Sequence, residues 1–168
     1  LEEIGKLNKA INKYEGKIEE ALKKDLNKSK FESYMTEIGI TLSDLTFIKK
    51  RVKKWARDKR VLSPISQFHS KSFIKKEPYG VALIISPWNY PFLLCIEPLI
   101  GAIAAGNCAI LKVSEDSVHT SKVITEMIAE TFPEEYITVV NGDKEVTTEL
   151  LEEKLDYIFF TGSPTVGK

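Results

Sequence analysis

Residues 80–115, GVALIISPWNYPFLLCIEPLIGAIAAGNCAILKVSE, limit the possible folds more than any other stretch. Val81, Ala82, Leu83, Ile84 and Ile85 form an unbroken apolar run, the pattern of a strand buried on both faces of a parallel sheet. Residues 86–91, SPWNYP, end that run with two prolines. Residues 92–105 are apolar on nearly every side, which predicts a helix buried in the core or at an interface. Gly106-Asn107 stops this helix, and residues 108–111 begin a second strand. A strand, a crossover helix and a parallel strand make a βαβ unit. Ligands of such sheets bind beyond the carboxyl ends of the strands, where residues 86–89 and 112–115 are expected.

The alternation continues. Residues 117–132 suit a helix, residues 136–140 a strand, Asn141-Gly142-Asp143 a tight turn and residues 145–155 a helix. Tyr157, Ile158, Phe159 and Phe160 form another strand, and Thr161-Gly162-Ser163-Pro164 should open a helix with Ser163 as N-cap and Pro164 at its first position. Apolar strands alternating with helices predict adjacent parallel strands at residues 83–85, 109–111, 139–140 and 158–160.

The N-terminal part reads differently. Leu1, Ile4, Leu7, Ile11, Tyr14, Ile18 and Leu22 recur at helical spacing. Ser29-Lys30-Phe31-Glu32 fits a capping box for a second helix, whose stripe is Phe31, Tyr34, Met35, Ile38, Leu42, Leu45, Ile48, Val52 and Trp55. Lysines and arginines crowd residues 49–60. A nucleic-acid patch is one reading; the favoured one is a solvated helix end whose cations suit the macrodipole. Residues 61–72 read as a linker, and residues 72–78 as an edge strand ended by Pro78.

Composition narrows the function. The chain has 168 residues, with 24 Lys+Arg against 24 Asp+Glu, so its net charge gives no case for nucleic acid or an acidic membrane. The two cysteines, Cys95 and Cys108, sit in apolar contexts, which fits a reducing cytoplasm rather than a disulfide scaffold. Residues 92–110 are interrupted by Glu97 and Pro98 and read as core, not as a membrane span. No metal ligand set is assigned.

Three groups of residues suggest chemistry. The Asn89 amide can donate a hydrogen bond to a developing oxyanion, although a turn asparagine between prolines is the simpler reading. After a buried strand, Glu115 can accept hydrogen bonds from ribose hydroxyls and Lys112 can bind a hydroxyl or phosphate; an exposed loop pair is the alternative. Gly162 and Ser163, at a helix start, offer free amides to an anion, but they do not form the GxGxxG fingerprint.

Pro87-Trp88-Asn89-Tyr90-Pro91, then GAIAAGN at residues 101–107, LKVSE at residues 111–115 and FTGSPTVGK at residues 160–168 together resemble the aldehyde dehydrogenase superfamily. The short N-terminal region and the Asn-Gly-Asp turn are similar to its class 3-like fatty and aromatic aldehyde branch. The resemblance implies an α/β fold: a helical region at residues 1–60, a linker and oligomerisation strand at 61–79, and a partial Rossmann-like parallel sheet at 80–168, truncated at its carboxyl end. It implies the cofactor-binding part of an NAD- or NADP-dependent aldehyde dehydrogenase, cytoplasmic and homo-oligomeric, with an aldehyde as substrate. Asn89 would be the oxyanion donor to a cysteine thiohemiacetal. Lys112, Glu115, Gly142, Gly162, Ser163 and Val166 would hold the adenosine and pyrophosphate, and Ser86, Pro87 and Trp88 would line the nicotinamide side, although Trp88 reads equally well as core. Val113 stands where the family usually has proline, which loosens that turn. The family's catalytic cysteine and general-base glutamate fall after residue 168, so the chain alone would be inactive. The alternatives are a related semialdehyde or acyl-phosphate reductase, and a non-catalytic remnant that binds nucleotide or a partner subunit.

Overall fold

The computed structural model describes residues 1–165 and 167. Helix α1 (Glu2–Leu26) buries Ile4, Leu7, Ile11, Ile18 and Leu22 on one face, as its spacing predicts. That face packs on α5 (Val118–Thr131) of the sheet region. Each fully buried Leu or Ile there contributes about 1.5–3 kcal/mol. Polar contacts flank the seam: Tyr14 Oη donates to Glu130 Oε2 at 2.6 Å, Lys13 pairs with the same carboxylate, and Lys17 reaches Glu126 at 3.2 Å. Asn27, at φ 56°, ends α1 in the left-handed conformation.

Ser29 then caps the next helix, its hydroxyl accepting from Glu32 N at 3.1 Å, as the capping box predicts. This helix runs from α2 (Lys30–Ser33) through a π-helical turn (Tyr34–Ile38) into α3 (Gly39–Trp55). The π turn corrects the expected stripe. One extra residue in the turn re-phases the buried face, so Ile38 and Leu45 are buried while Phe31 is 77% and Met35 54% exposed. Glu37 and Thr41 are buried instead. A Cβ on Gly39 would lie 2.9 Å from Tyr34 O, so glycine permits the tight turn. The basic residues at the end of α3 are solvated; Arg51 stacks 3.7 Å over the Phe47 ring, and Lys76 Nζ donates to Trp55 O at 2.6 Å.

Strand β1 (Lys59–Val61) pairs antiparallel with β2 (Ser72–Ile74), Arg60 opposite Phe73. The expected linker therefore begins as a strand, and the expected edge strand is shorter than its sequence suggests. All of β1 is exposed, so no alternation marked it.

The remaining strands form one parallel sheet: β3 (Val81–Ile85), β4 (Cys108–Lys112), β5 (Ile137–Val140) and β6 (Tyr157–Phe160), in the order β5-β4-β3-β6. Helices α4 (Leu93–Ala105), α5 and α6 (Lys144–Glu152) make the crossovers. The expected parallel neighbours are thus present in one sheet. Ala82, Leu83 and Ile84 are all buried, while Tyr157, Ile158 and Phe159 on the edge strand β6 are 46%, 46% and 39% exposed. Among the described residues no helix is long and apolar enough to cross a membrane.

Candidate functional site

From β3 the chain steps outward through β4 to β5 and then crosses back to β6 on the other side of β3. The strand order reverses between β3 and β6, and an open α/β sheet forms its ligand crevice outside such a switch point. Pairing aligns Ile85 with Lys112 and Phe160, and Lys112 with Val140. All four following loops therefore leave one edge of the sheet. Ser86 N donates to Lys112 O at 3.1 Å, and Thr161 N donates to Ile85 O at 3.1 Å, which extends the pairing past both strands.

The loop after β3 descends from core to surface. Ser86 is buried, and its hydroxyl makes no hydrogen bond of good geometry. Pro87 is half-buried, Trp88 is 54% exposed rather than core, and Asn89 is exposed. Phe92, fully buried, anchors the far side.

Lys112 ends β4 with its stem buried, and its Nζ donates to Val113 O at 2.9 Å. Burial lowers its pKa, while the charges of Glu115 and Asp143 oppose that shift. Glu115 is exposed at the loop mouth. Hydrogen bonds hold the turn after Val113: Ser114 O accepts from Ser121 Oγ at 2.8 Å, and Ser114 Oγ accepts from Asp116 N at 3.3 Å.

Gly142 follows β5 at φ +151°, and a Cβ there would lie 2.6 Å from Val146 Cγ2. Asp143 caps α6, its Oδ1 accepting from Glu145 N at 3.0 Å and Val146 N at 3.2 Å. Beyond β6, a Cβ on Gly162 would meet the Phe160 ring at 2.3 Å, and Ser163 is exposed. The described residues 161–165 form a turn, and Gly167 N donates to Ser163 O at 3.1 Å; the rest of the expected helix falls outside the described residues. Val166 lies outside the described residues.

The structure thus gathers Ser86, Pro87, Lys112, Glu115, Gly142, Gly162 and Ser163 at one sheet edge, with Trp88 and Asn89 further out on the β3 loop. Sequence reading missed Asp143, which acts on Lys112, and Glu37, which caps α4. The Asn-Gly-Asp turn held a signal for the first; no local signal marked the second. Burial pushes the Cys95 thiol up to about 12, and the Ser86 hydroxyl beside it offsets little of that shift. Among the described residues no group of three or more His, Cys, Asp or Glu side chains forms a metal site.

A parallel sheet with helical crossovers, a switch point and polar loops at its carboxyl edge defines an open, Rossmann-like α/β domain. The sequence pattern of the aldehyde dehydrogenase family matches residues 2–168, so the chain belongs to the aldehyde dehydrogenase family. It is 53% identical over 167 residues to the 4,4'-diaponeurosporen-aldehyde dehydrogenase of Staphylococcus aureus, covering 99% of this chain and 36% of that protein. It is 48% identical over 151 residues to mouse aldehyde dehydrogenase family 3 member B2, covering 90% of this chain and 32% of the relative. These matches support the class 3-like branch. The chain therefore spans about a third of these relatives' length. Among solved structures, the substrate-bound state of Staphylococcus aureus AldH superposes with a TM-score of 0.95 at 53% identity, over 99% of this chain and 36% of that one. A succinic semialdehyde dehydrogenase from Streptococcus pyogenes, solved with NADP+ as cofactor, shares the fold with a TM-score of 0.82 at 18% identity, over 99% of this chain and 36% of that one.

Proposed function

We infer that this chain is the cofactor-side part of an NAD(P)-dependent aldehyde dehydrogenase that oxidises an aldehyde to a carboxylic acid. The observation that carries the reading is the placement of Lys112, Glu115, Gly142 and Gly162 along the carboxyl edge of one parallel sheet that holds a switch point. These residues suit a dinucleotide. Gly142 and Gly162 let the backbone turn tightly against Val146 and Phe160, Lys112 offers a cation, and Glu115 offers an exposed acceptor for ribose hydroxyls. Solved relatives carry NAD or NADP, which supports either cofactor.

The dinucleotide would supply the hydride acceptor. Gly162 and Ser163 would meet the pyrophosphate with backbone amides. Gly142 would let the adenosine approach the backbone, and Val166 would pack near the adenine. Ser86, Pro87 and Trp88 would line the nicotinamide side. Asn89 would donate its amide to the oxyanion that develops when a cysteine thiolate supplied by the rest of the protein attacks the aldehyde. Residues 1–60 would brace this half, and 61–79 would serve assembly of a cytoplasmic homo-oligomer.

The test is NAD(P)H formation by the complete protein with short, long and aromatic aldehydes. Asn89→Ala should lower turnover about 100- to 1000-fold while cofactor affinity stays unchanged. Wild-type turnover in the chemical step would remove Asn89 from the mechanism, and failure to reduce either cofactor with any aldehyde would overturn the activity.

A further inference from the structure

Glu37 is fully buried on the π turn, a carboxylate that the site described above does not use. Its Oε1 accepts from Lys28 Nζ at 2.6 Å. Its Oε2 accepts from Phe92 N at 2.9 Å and Leu93 N at 3.1 Å, the amides at the start of α4. Phe92, the N-cap of α4, offers no side-chain acceptor of its own, so a carboxylate 55 residues away does the capping. Lys28, 7% exposed, carries the network onward: its ammonium lies 4.1 Å from the centroid of the Tyr90 ring. Tyr90 O in turn accepts from Leu94 N at 3.0 Å. Residues 90, 92, 93 and 94 are all fastened, and the next residue back is Asn89.

A buried ion pair is weak evidence for stability, because a well-packed apolar pair of similar volume often does as well. What an apolar pair cannot do is hold two backbone amides and an aromatic ring at set positions. The π turn that carries Glu37 points the same way, since such turns recur at functional sites.

We propose that Glu37 is a positioning residue for Asn89. Together with Lys28 it fixes the start of α4 and the Tyr90 ring, and so fixes the loop that aims the Asn89 amide at the oxyanion. This rests on the reading of Asn89 as oxyanion donor. Glu37→Gln disturbs the clamp without changing its size: the new amide must turn its N–H donors either to the Lys28 ammonium or to the Phe92 and Leu93 amides. Donors toward Phe92 and Leu93 take the acceptor from the start of α4; donors toward Lys28 drive the ammonium off the Tyr90 ring.

The test is a double-mutant cycle in the complete protein with Glu37→Gln, Asn89→Ala and the pair, following single-turnover NAD(P)H formation per active site. Glu37→Gln should slow that step about tenfold, as displacement of a positioned group does, with cofactor Kd unchanged. In the Asn89→Ala background the same change should cost less than about twofold, because the group it positions is gone. An equal loss in both backgrounds, or a wild-type rate in Glu37→Gln beside a slow Asn89→Ala, overturns the proposal and leaves the role of Asn89 standing. A wild-type rate in Asn89→Ala overturns the donor reading and the proposal with it. If Glu37→Gln does not fold, Tyr90→Leu, at a ring 40% exposed, runs the same cycle. It should slow the step about threefold with the same non-additivity, and an additive or absent effect overturns the proposal.

Discussion

Asp25 binds Thr120 twice: its Oδ2 accepts from the Thr120 amide at 2.7 Å and from Thr120 Oγ1 at 2.8 Å, across 95 residues of sequence. Its Oδ1 also accepts from His119 N at 3.1 Å. Ser117, the N-cap of α5, makes no side-chain cap of its own, so the end of α1 supplies one. Glu37 does the same for α4, whereas α6 is capped locally by Asp143. The helical region therefore finishes two helices of the sheet region through carboxylates at their positive ends. Asp25→Ala should lower stability by about 1–2 kcal/mol, with Asp25→Asn keeping part of it. The urea midpoint at unchanged slope is the measurement, and an unmoved midpoint in Asp25→Ala would refute the capping role.

Gly142 should not accept a side chain. Its φ of +151° and the 2.6 Å approach to Val146 together strain any substitution. Gly142→Ala should cost about 1–3 kcal/mol and weaken dinucleotide binding. Val146→Ala should restore part of the stability lost to the contact but none of that lost to the backbone. Thermal melts of the three variants check this, and a neutral Gly142→Ala would mean the loop relaxes freely.

Lys112 and Glu115 should report on the cofactor separately. Glu115→Gln removes the exposed acceptor and should raise the dissociation constant of NAD about tenfold, the cost of one charge-assisted hydrogen bond. Lys112→Met should weaken NADP more than NAD if the ammonium reaches a 2′-phosphate. Titration of both cofactors decides, and unchanged affinity for both in Glu115→Gln would remove it from the site.

Cys95 should stay a thiol where an ordinary cysteine ionises. Its pKa is raised from 9.0 to about 12, first by burial. At pH 8 the thiolate fraction is then about a thousandfold below that of an exposed thiol, so a disulfide reagent should label Cys95 only after unfolding. The sign for stability follows: between about pH 9 and 12 the unfolded chain releases this proton while the folded chain keeps it, so stability falls as pH rises. Tyr14, held up to about 12 chiefly by its hydrogen bond to Glu130, pushes the same way. Rapid labelling of Cys95 in the folded protein at pH 8 would contradict the assignment.

What could be read from residue order was what depends on near neighbours. The apolar run at Val81–Ile85 and the Asn-Gly-Asp turn each carry their conformation locally, so the sheet and the loops that hold Ser86, Lys112 and Gly142 follow from them. Phe31 and Met35 were misread because a π turn breaks the 3.6-residue period on which the stripe depends. Strand β1 was missed because Lys59 and Arg60 extended a basic run and its side chains bury nothing. Glu37 and Asp25 could not be found at all, since their partners lie 55 and 95 residues away and any surface acid looks the same in sequence.

The most direct test is a crystal structure of the complete protein grown with NAD and with NADP. It should show the adenosine ribose against Glu115 and Lys112, the pyrophosphate over Gly162 and Ser163, and the nicotinamide beyond Ser86 and Pro87. A dinucleotide bound away from the carboxyl edge of β3, β4 and β6, or adenosine contacts that avoid both Lys112 and Glu115, would contradict the account.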